Sequence, residues 1–159
     1  MFQIGDKVVH PIYGAGSIEA IEERQDRGKM EAYYVIPNTI EADRVLVLIR
    51  SASSVGLRRA ISREDAERIV SIIKSEGHAV VAEYKDRTAF LKEIDWSDPF
   101  VVAEVWRDLS AEAKNSKKTS ALAEKVRKRA GRLLLSELCL AMGVSPQECS
   151  RILETSGKG

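Results

Sequence analysis

The sequence predicts an α+β protein, with a small N-terminal β-barrel followed by an all-α C-terminal domain of about five helices. Short runs of alternating apolar and polar side chains fill the first part of the chain, and turn residues separate them. Beyond it, helix start and stop signals recur, with apolar residues three or four positions apart. We place the boundary after residue 58, which gives a β domain at residues 1–58 and a helical domain at residues 59–159.

The predicted strands cover residues 7–10, 16–23, 31–36 and 43–49. In the first hairpin, Gly14 and Gly16 stand one residue apart at a strand junction. Glycine at such a junction allows backbone torsions, and close approach of a neighbouring segment, that are unfavourable for residues with a Cβ. The third strand is rich in tyrosine and β-branched residues, which suit a half-buried pleated surface. Four or five short strands with small turns indicate a Tudor- or SH3-like barrel.

Helix signals divide the second part of the chain into five segments. Ser62 precedes an acidic first turn, Asp98 precedes a proline, and Ser145 opens a capping box. Gly143 is the stop signal of the longest segment. The predicted helices cover residues 63–76, about 80–94, 99–113, about 120–142 and 146–153.

Basic residues are concentrated before and within the fourth predicted helix. Residues 114–132 include eight basic residues and one acidic residue, a net charge of +7, although the whole chain carries only +1. At about 100° per residue, one side of this helix carries cations and another carries apolar side chains. Such a face is either solvated or bound to a phosphate backbone, and the pattern leaves both open. The cations on that side are Lys125, Lys128, Arg129 and Arg132.

Residues for catalysis or cofactor binding do not occur in any recognisable pattern. His10 and His78 are isolated from each other and from carboxylates and cysteines, which favours structural roles. Cys139 and Cys149 lack metal-ligand spacing and are predicted to be buried, reduced thiols. We therefore predict no enzymatic activity, cofactor, metal site or small-molecule substrate. No signal sequence or membrane-spanning run is found, which predicts a cytoplasmic protein without a membrane partner.

The opening segment GDKVVHPIYGAGSIEAIE, residues 5–22, resembles the start of the CarD/CdnL family of bacterial transcription regulators. The same module is found in transcription-repair coupling factors. The resemblance continues at residues 33–36, 55–58, 102–109 and 137–138, and so extends into a helical half that the coupling factors do not share. The combination indicates a stand-alone CarD-like regulator.

This resemblance implies that the barrel docks on the β subunit of RNA polymerase by pairing strands. Arg24 matches a polymerase-contacting arginine at the end of the second predicted strand. Arg44, Val45 and Leu46 fall on the strand expected to meet the polymerase, although family members often have a basic residue where Leu46 stands.

The resemblance also implies that the helical domain contacts promoter DNA at the upstream edge of the bubble, where a tryptophan wedges into the minor groove. The family pattern is tryptophan followed three residues later by arginine. Tyr84 with Arg87 is the nearest match, and Trp96 is the alternative wedge. Lys125 matches a DNA-contacting lysine. The resemblance and the basic segment together predict DNA contacts from Tyr84, Lys85, Arg87, Lys117, Lys118, Lys125, Lys128, Arg129 and Arg132.

Two hypotheses of function follow. The first is a transcription regulator that docks on the polymerase β subunit, contacts DNA weakly and without much sequence preference, and stabilises or tunes the open promoter complex. The alternative is an interaction module that binds polymerase or another protein through the barrel without productive DNA contact. The two differ in whether binding weakens steeply as salt rises.

Overall fold

The computed structural model describes residues 1–38, 43–76, 85–115 and 119–155. Three of the predicted contact residues, Tyr84, Lys117 and Lys118, lie outside these ranges. The predicted α+β class is confirmed, with strands in the first part of the chain and helices in the second. The strands of the described part are β1 (Lys7–His10), β2 (Gly14–Ser17), β3 (Ala20–Asp26), β4 (Lys29–Pro37), β5 (Arg44–Leu48) and β6 (Arg58–Arg59).

The strands form two three-stranded antiparallel sheets, ordered β2-β1-β6 and β3-β4-β5. The chain passes from the first sheet to the second between β2 and β3, where the amide of Ile18 donates to Asp6 O (2.9 Å) and that of Glu19 donates to Val35 O (2.8 Å), and it returns to the first sheet at β6. Both sheets bury side chains in one core cluster, in which Val8 and Tyr34 are almost completely buried. The described strands form two packed sheets, and no closed barrel is seen among them.

The two glycines of the first hairpin have the roles that their spacing predicts. Gly14 has a φ of +88°, and a Cβ there would lie 2.6 Å from Ser136 Oγ. A Cβ on Gly16 would lie 2.6 Å from the carbonyl oxygen of Pro37, at the end of β4. Gly14 therefore lets the first sheet approach the helices, and Gly16 lets the two sheets approach each other.

The helices of the described part begin at the predicted signals, with one exception, and their ends lie within two residues of the predicted ones. Ser62 Oγ accepts from the Asp65 amide (3.1 Å), and Gly143 ends the longest helix with a φ of +66°. The exception is the helix predicted from about residue 80: residues 85 and 86 are not helical, because Asp86 caps a shorter helix by accepting from the Ala89 amide (3.0 Å). The helices are α1 (Arg63–Lys74), α2 (Arg87–Lys92), α3 (Pro99–Asn115), α4 (Ala121–Met142) and α5 (Pro146–Thr155).

The helical core is formed mainly by α1, α3, α4 and α5. Gly131 of α4 permits close packing against α3, because a Cβ there would lie 2.9 Å from Nε1 of Trp106. The prediction of buried, reduced cysteines is confirmed: Cys139 and Cys149 are buried free thiols, and burial raises the pKa of Cys149 to about 12. Within the described ranges, no helix is both long and apolar enough to cross a bilayer.

Candidate functional site

One face of the β3-β4-β5 sheet carries three of the four residues predicted to contact polymerase. Side chains alternate between the faces of a strand, and the register places Arg24, Arg44 and Leu46 on the outer face. Arg24 lies on edge strand β3, whereas the other two lie on the opposite edge strand, β5. Val45 points inward and packs against the core, so its side chain is not part of this surface.

Strand β5 has an open edge, because it pairs only with β4 in the described part of the chain. Leu46 is 38% exposed there, and Arg44 forms an exposed ion pair with Glu19 (3.1 Å). On β3, Arg24 pairs with Glu22 (2.9 Å). An open strand edge presents backbone donors and acceptors that a strand of another protein can pair with.

The helical half is joined to the first sheet along α4. The turn between β1 and β2, residues 11–13, provides two carbonyl acceptors: Arg129 donates to Pro11 O and Arg132 donates to Ile12 O, both at 3.0 Å. One helical turn further, Ser136 Oγ accepts from the Ala15 amide (3.0 Å). Burial, followed by the charge of Arg132, lowers the pKa of Arg129.

A second link between the halves is the ion pair of Arg58 and Glu137. The guanidinium donates two hydrogen bonds of 2.7 Å to the two carboxylate oxygens, and the Ile61 amide donates a third, at 3.0 Å. The Glu137 side chain is 5% exposed and that of Arg58 is 25% exposed. This bidentate, largely desolvated pair joins β6 to the C-terminal part of α4.

The four cations predicted to share the open face of α4 divide into two pairs. Lys125 and Lys128 are exposed, whereas Arg129 and Arg132 are partly buried against the β1–β2 turn. This corrects the expectation of a uniformly open basic face. Helical periodicity places the four on one side of α4 but does not reveal that the far end of that side meets the first sheet.

The residues predicted around the DNA wedge are partly engaged within the protein. Lys85 is exposed. Arg87 forms a bidentate pair with Glu112, with one bond of 2.8 Å, and hydrogen bonding to that carboxylate raises the pKa of Arg87. Trp96 is partly buried against the helical core, and Cζ of Arg129 lies 4.0 Å from the centre of its ring.

Comparison with known proteins identifies the family. The model of the CarD-like and TRCF RID domain matches residues 2–61, and that of the CarD C-terminal domain matches residues 68–154. This chain belongs to the CarD family. It is 31% identical over 149 residues to a relative in Bacillus subtilis (strain 168) named transcription factor YdeB, covering 93% of this chain and 97% of that protein. The CarD-like family consists of transcription regulators and not of a class of enzymes, and RNA polymerase is its kind of partner.

Sequence reasoning missed the residues that join the two halves of this CarD-family protein. Arg58 and Glu137 both lie in stretches of family resemblance, but 79 positions separate them and no local pattern pairs them. Ser136 follows Arg132 by four residues and so continues the basic side of α4. The presence of a serine in place of a basic residue at this position was the sequence feature that indicated a contact surface at this end of α4.

The β1–β2 turn is organised by His10. Its Nδ1 accepts from the amides of Ile12 (3.1 Å) and Tyr13 (3.3 Å), which requires an unprotonated nitrogen. Its ring lies 4.8 Å from the ring of Tyr13. Burial lowers the pKa of His10 below its usual 6.5. The histidine thus has the structural role that its isolated position predicts.

Stability should fall as the pH is lowered through the titration of His10. Because its pKa is lower in the folded state, the unfolded chain binds more protons between the folded pKa and 6.5. The contribution of His10 is therefore fully present above pH 6.5 and is lost as the pH falls below that value. Thermal unfolding followed by circular dichroism between about pH 7.5 and 5.5 measures the effect.

The matched control is His10→Asn, which keeps a side-chain acceptor but does not titrate. We expect the melting temperature of this variant to depend less on pH over the same interval. Equal pH dependence in both proteins would contradict the assignment of this titration to His10.

Proposed function

We propose that this CarD-family protein docks on the β subunit of RNA polymerase and contacts promoter DNA at the upstream edge of the bubble, thereby stabilising the open complex. Residues 1–58 would bind polymerase and residues 59–159 would contact DNA, in the cytoplasm. The main support is the ion pair of Arg58 and Glu137. It ties the β half, which has an open edge at β5, to helix α4, which carries two exposed lysines.

Docking would use the free edge of β5. A strand of the polymerase would add to the sheet through backbone hydrogen bonds, with Leu46 supplying exposed apolar surface and Arg44 a charge beside it. Arg24 would extend the contact across the outer face of the sheet. Val45 would contribute its backbone only, since its side chain packs inward.

DNA contact would involve Lys125 and Lys128, whose side chains are exposed on α4. Contacts available only when the DNA is bent and melted would shift the equilibrium from closed to open complex. About 1.4 kcal/mol of such selectivity shifts that equilibrium tenfold. Since docking on polymerase raises the effective concentration of the lysines near DNA, their intrinsic affinity can be weak.

The test is an open-complex lifetime assay with the cognate polymerase and a promoter fragment, repeated over a range of salt concentrations. The double variant Lys125→Ala, Lys128→Ala should shorten the lifetime and lower the salt slope of DNA-assisted binding by about 2, one for each lost phosphate contact. The matched control is Lys29→Ala, Lys74→Ala, which removes two exposed lysines from a hairpin and from the end of α1. If both double variants have the same open-complex lifetime and the same salt slope, the proposed DNA contact is rejected.

The alternative, an interaction module without productive DNA contact, is favoured by one observation. Arg87, Arg129 and Arg132, all predicted DNA contacts, already bind Glu112 or the carbonyls of the β1–β2 turn. Under this alternative, the protein would bind polymerase through β5, and the salt slope would be the same with and without Lys125 and Lys128.

A further inference from the structure

We infer that the β1–β2 turn is part of the DNA-contacting surface and presents Ile12 and Tyr13 to the duplex beside Lys125 and Lys128. This inference rests on the proposed function and adds to it a DNA contact from the β half of the protein. The two apolar side chains are adjacent and exposed, at 52% and 47%.

The backbone of the turn is held by hydrogen bonds to its amides and to its carbonyls. His10 Nδ1 accepts from the amides of both Ile12 and Tyr13. On the other side of the turn, the carbonyls of Pro11 and Ile12 accept from Arg129 and Arg132. The backbone polar groups are thus bound internally, while the two large apolar side chains face solvent.

The exposed lysines of α4 lie one helical turn beyond these arginines. Lys125 precedes Arg129 by four residues, and Lys128 precedes Arg132 by four, so each lysine neighbours an arginine along one side of the helix. Because the arginines contact the turn directly, the lysines lie on the side of α4 that faces the turn. The exposed apolar pair of the turn and the exposed lysines of α4 therefore share one side of the protein.

Duplex DNA fits this combination better than a protein partner does. Proteins that bind the minor groove combine cations on the phosphates with apolar side chains inserted at base steps. Protein interfaces, in contrast, are depleted in lysine. Two exposed lysines on the same side of the protein as the exposed Ile12 and Tyr13 favour nucleic acid as the occupant.

Photocrosslinking in the complete complex tests the contact. Benzoylphenylalanine is incorporated in place of Tyr13 in the full chain, and the protein is irradiated with cognate polymerase and end-labelled promoter DNA. The control places the same group at Met30, which is 63% exposed in the β3–β4 hairpin. We expect a covalent adduct with DNA from position 13 and none from position 30. An adduct of position 13 with a polymerase subunit, or no adduct, overturns the inference.

A variant assay separates this inference from the proposed function. Ile12→Ser, Tyr13→Ser should reduce the effect on open-complex lifetime about tenfold, the loss of roughly one aromatic contact with a base. If Lys125→Ala, Lys128→Ala loses the effect and the serine variant does not, the inference fails and the proposed function stands. If neither variant changes the lifetime, both fail. Should the serine variant not fold by circular dichroism, the crosslink alone decides.

Discussion

Gly16→Ala is expected to lower the free energy of unfolding by about 3 kcal/mol. The new Cβ would lie 2.6 Å from the carbonyl oxygen of Pro37 and equally close to Cγ2 of Ile36. The carbonyl belongs to the backbone of β4, so it cannot move aside as a flexible side chain would. The sheets would have to separate where Gly16 of β2 approaches the end of β4, which would loosen the core around Val8 and Tyr34.

Urea unfolding followed by circular dichroism measures this loss. The matched control is Gly28→Ala in the β3–β4 hairpin, where φ is +82° and a Cβ would meet no atom within 4 Å. The control adds only backbone strain, for which we expect about 1 kcal/mol. A Gly16→Ala protein as stable as the control would show that the close approach of the sheets is not required.

The local features of this fold were predictable because each depends on a few neighbouring residues. Ser62, Asp98 and Ser145 all cap helices as their positions predict, since an N-cap needs only a side-chain acceptor and the amides that follow it. Gly143 likewise stops α4 by adopting a positive φ. The predicted start of α2 was wrong because Asp86 caps the helix, so that helical structure begins only at Arg87.

The candidate site was less predictable because it depends on contacts between distant segments. Periodicity placed Arg129 and Arg132 beside Lys125, but the acceptors of the two arginines lie about 120 positions earlier in the chain. The pairing of Arg58 with Glu137 also required the tertiary arrangement of β6 and α4. Sequence reasoning could therefore identify the basic residues without telling which of them hold the protein together.

Arg58→Ala should lower the free energy of unfolding by about 3 kcal/mol, because it leaves a buried carboxylate without its counter-ion. Glu137 would retain only the hydrogen bond from the Ile61 amide. This loss is at the lower end of the cost in stability of breaking a buried ion pair, because the Arg58 side chain is 25% exposed and water can reach the vacated space. Urea unfolding again measures the loss.

Two controls test the cause of this loss. Arg68→Ala removes an exposed pair with Glu64 on α1 and should change stability by about 0.5 kcal/mol or less. The double variant Arg58→Met, Glu137→Met removes both charges and should recover much of the loss, because no charge remains buried. If the double variant is as unstable as Arg58→Ala, packing and not the unpaired carboxylate is responsible.

Arg58→Ala should also uncouple the binding of polymerase from the contact with DNA. Strand β5 belongs to the other sheet and does not use Arg58, so binding of polymerase by Arg58→Ala should be unchanged under conditions where the variant is folded. The lysines of α4 would be held less firmly relative to that docking edge, because the contacts of Arg129, Arg132 and Ser136 with the first sheet would remain without the ion pair, and their effective concentration near DNA would fall. The open-complex lifetime should therefore decrease toward the value without the protein. An unchanged lifetime in a folded, polymerase-bound variant would mean that the pair stabilises the fold without positioning the DNA contact.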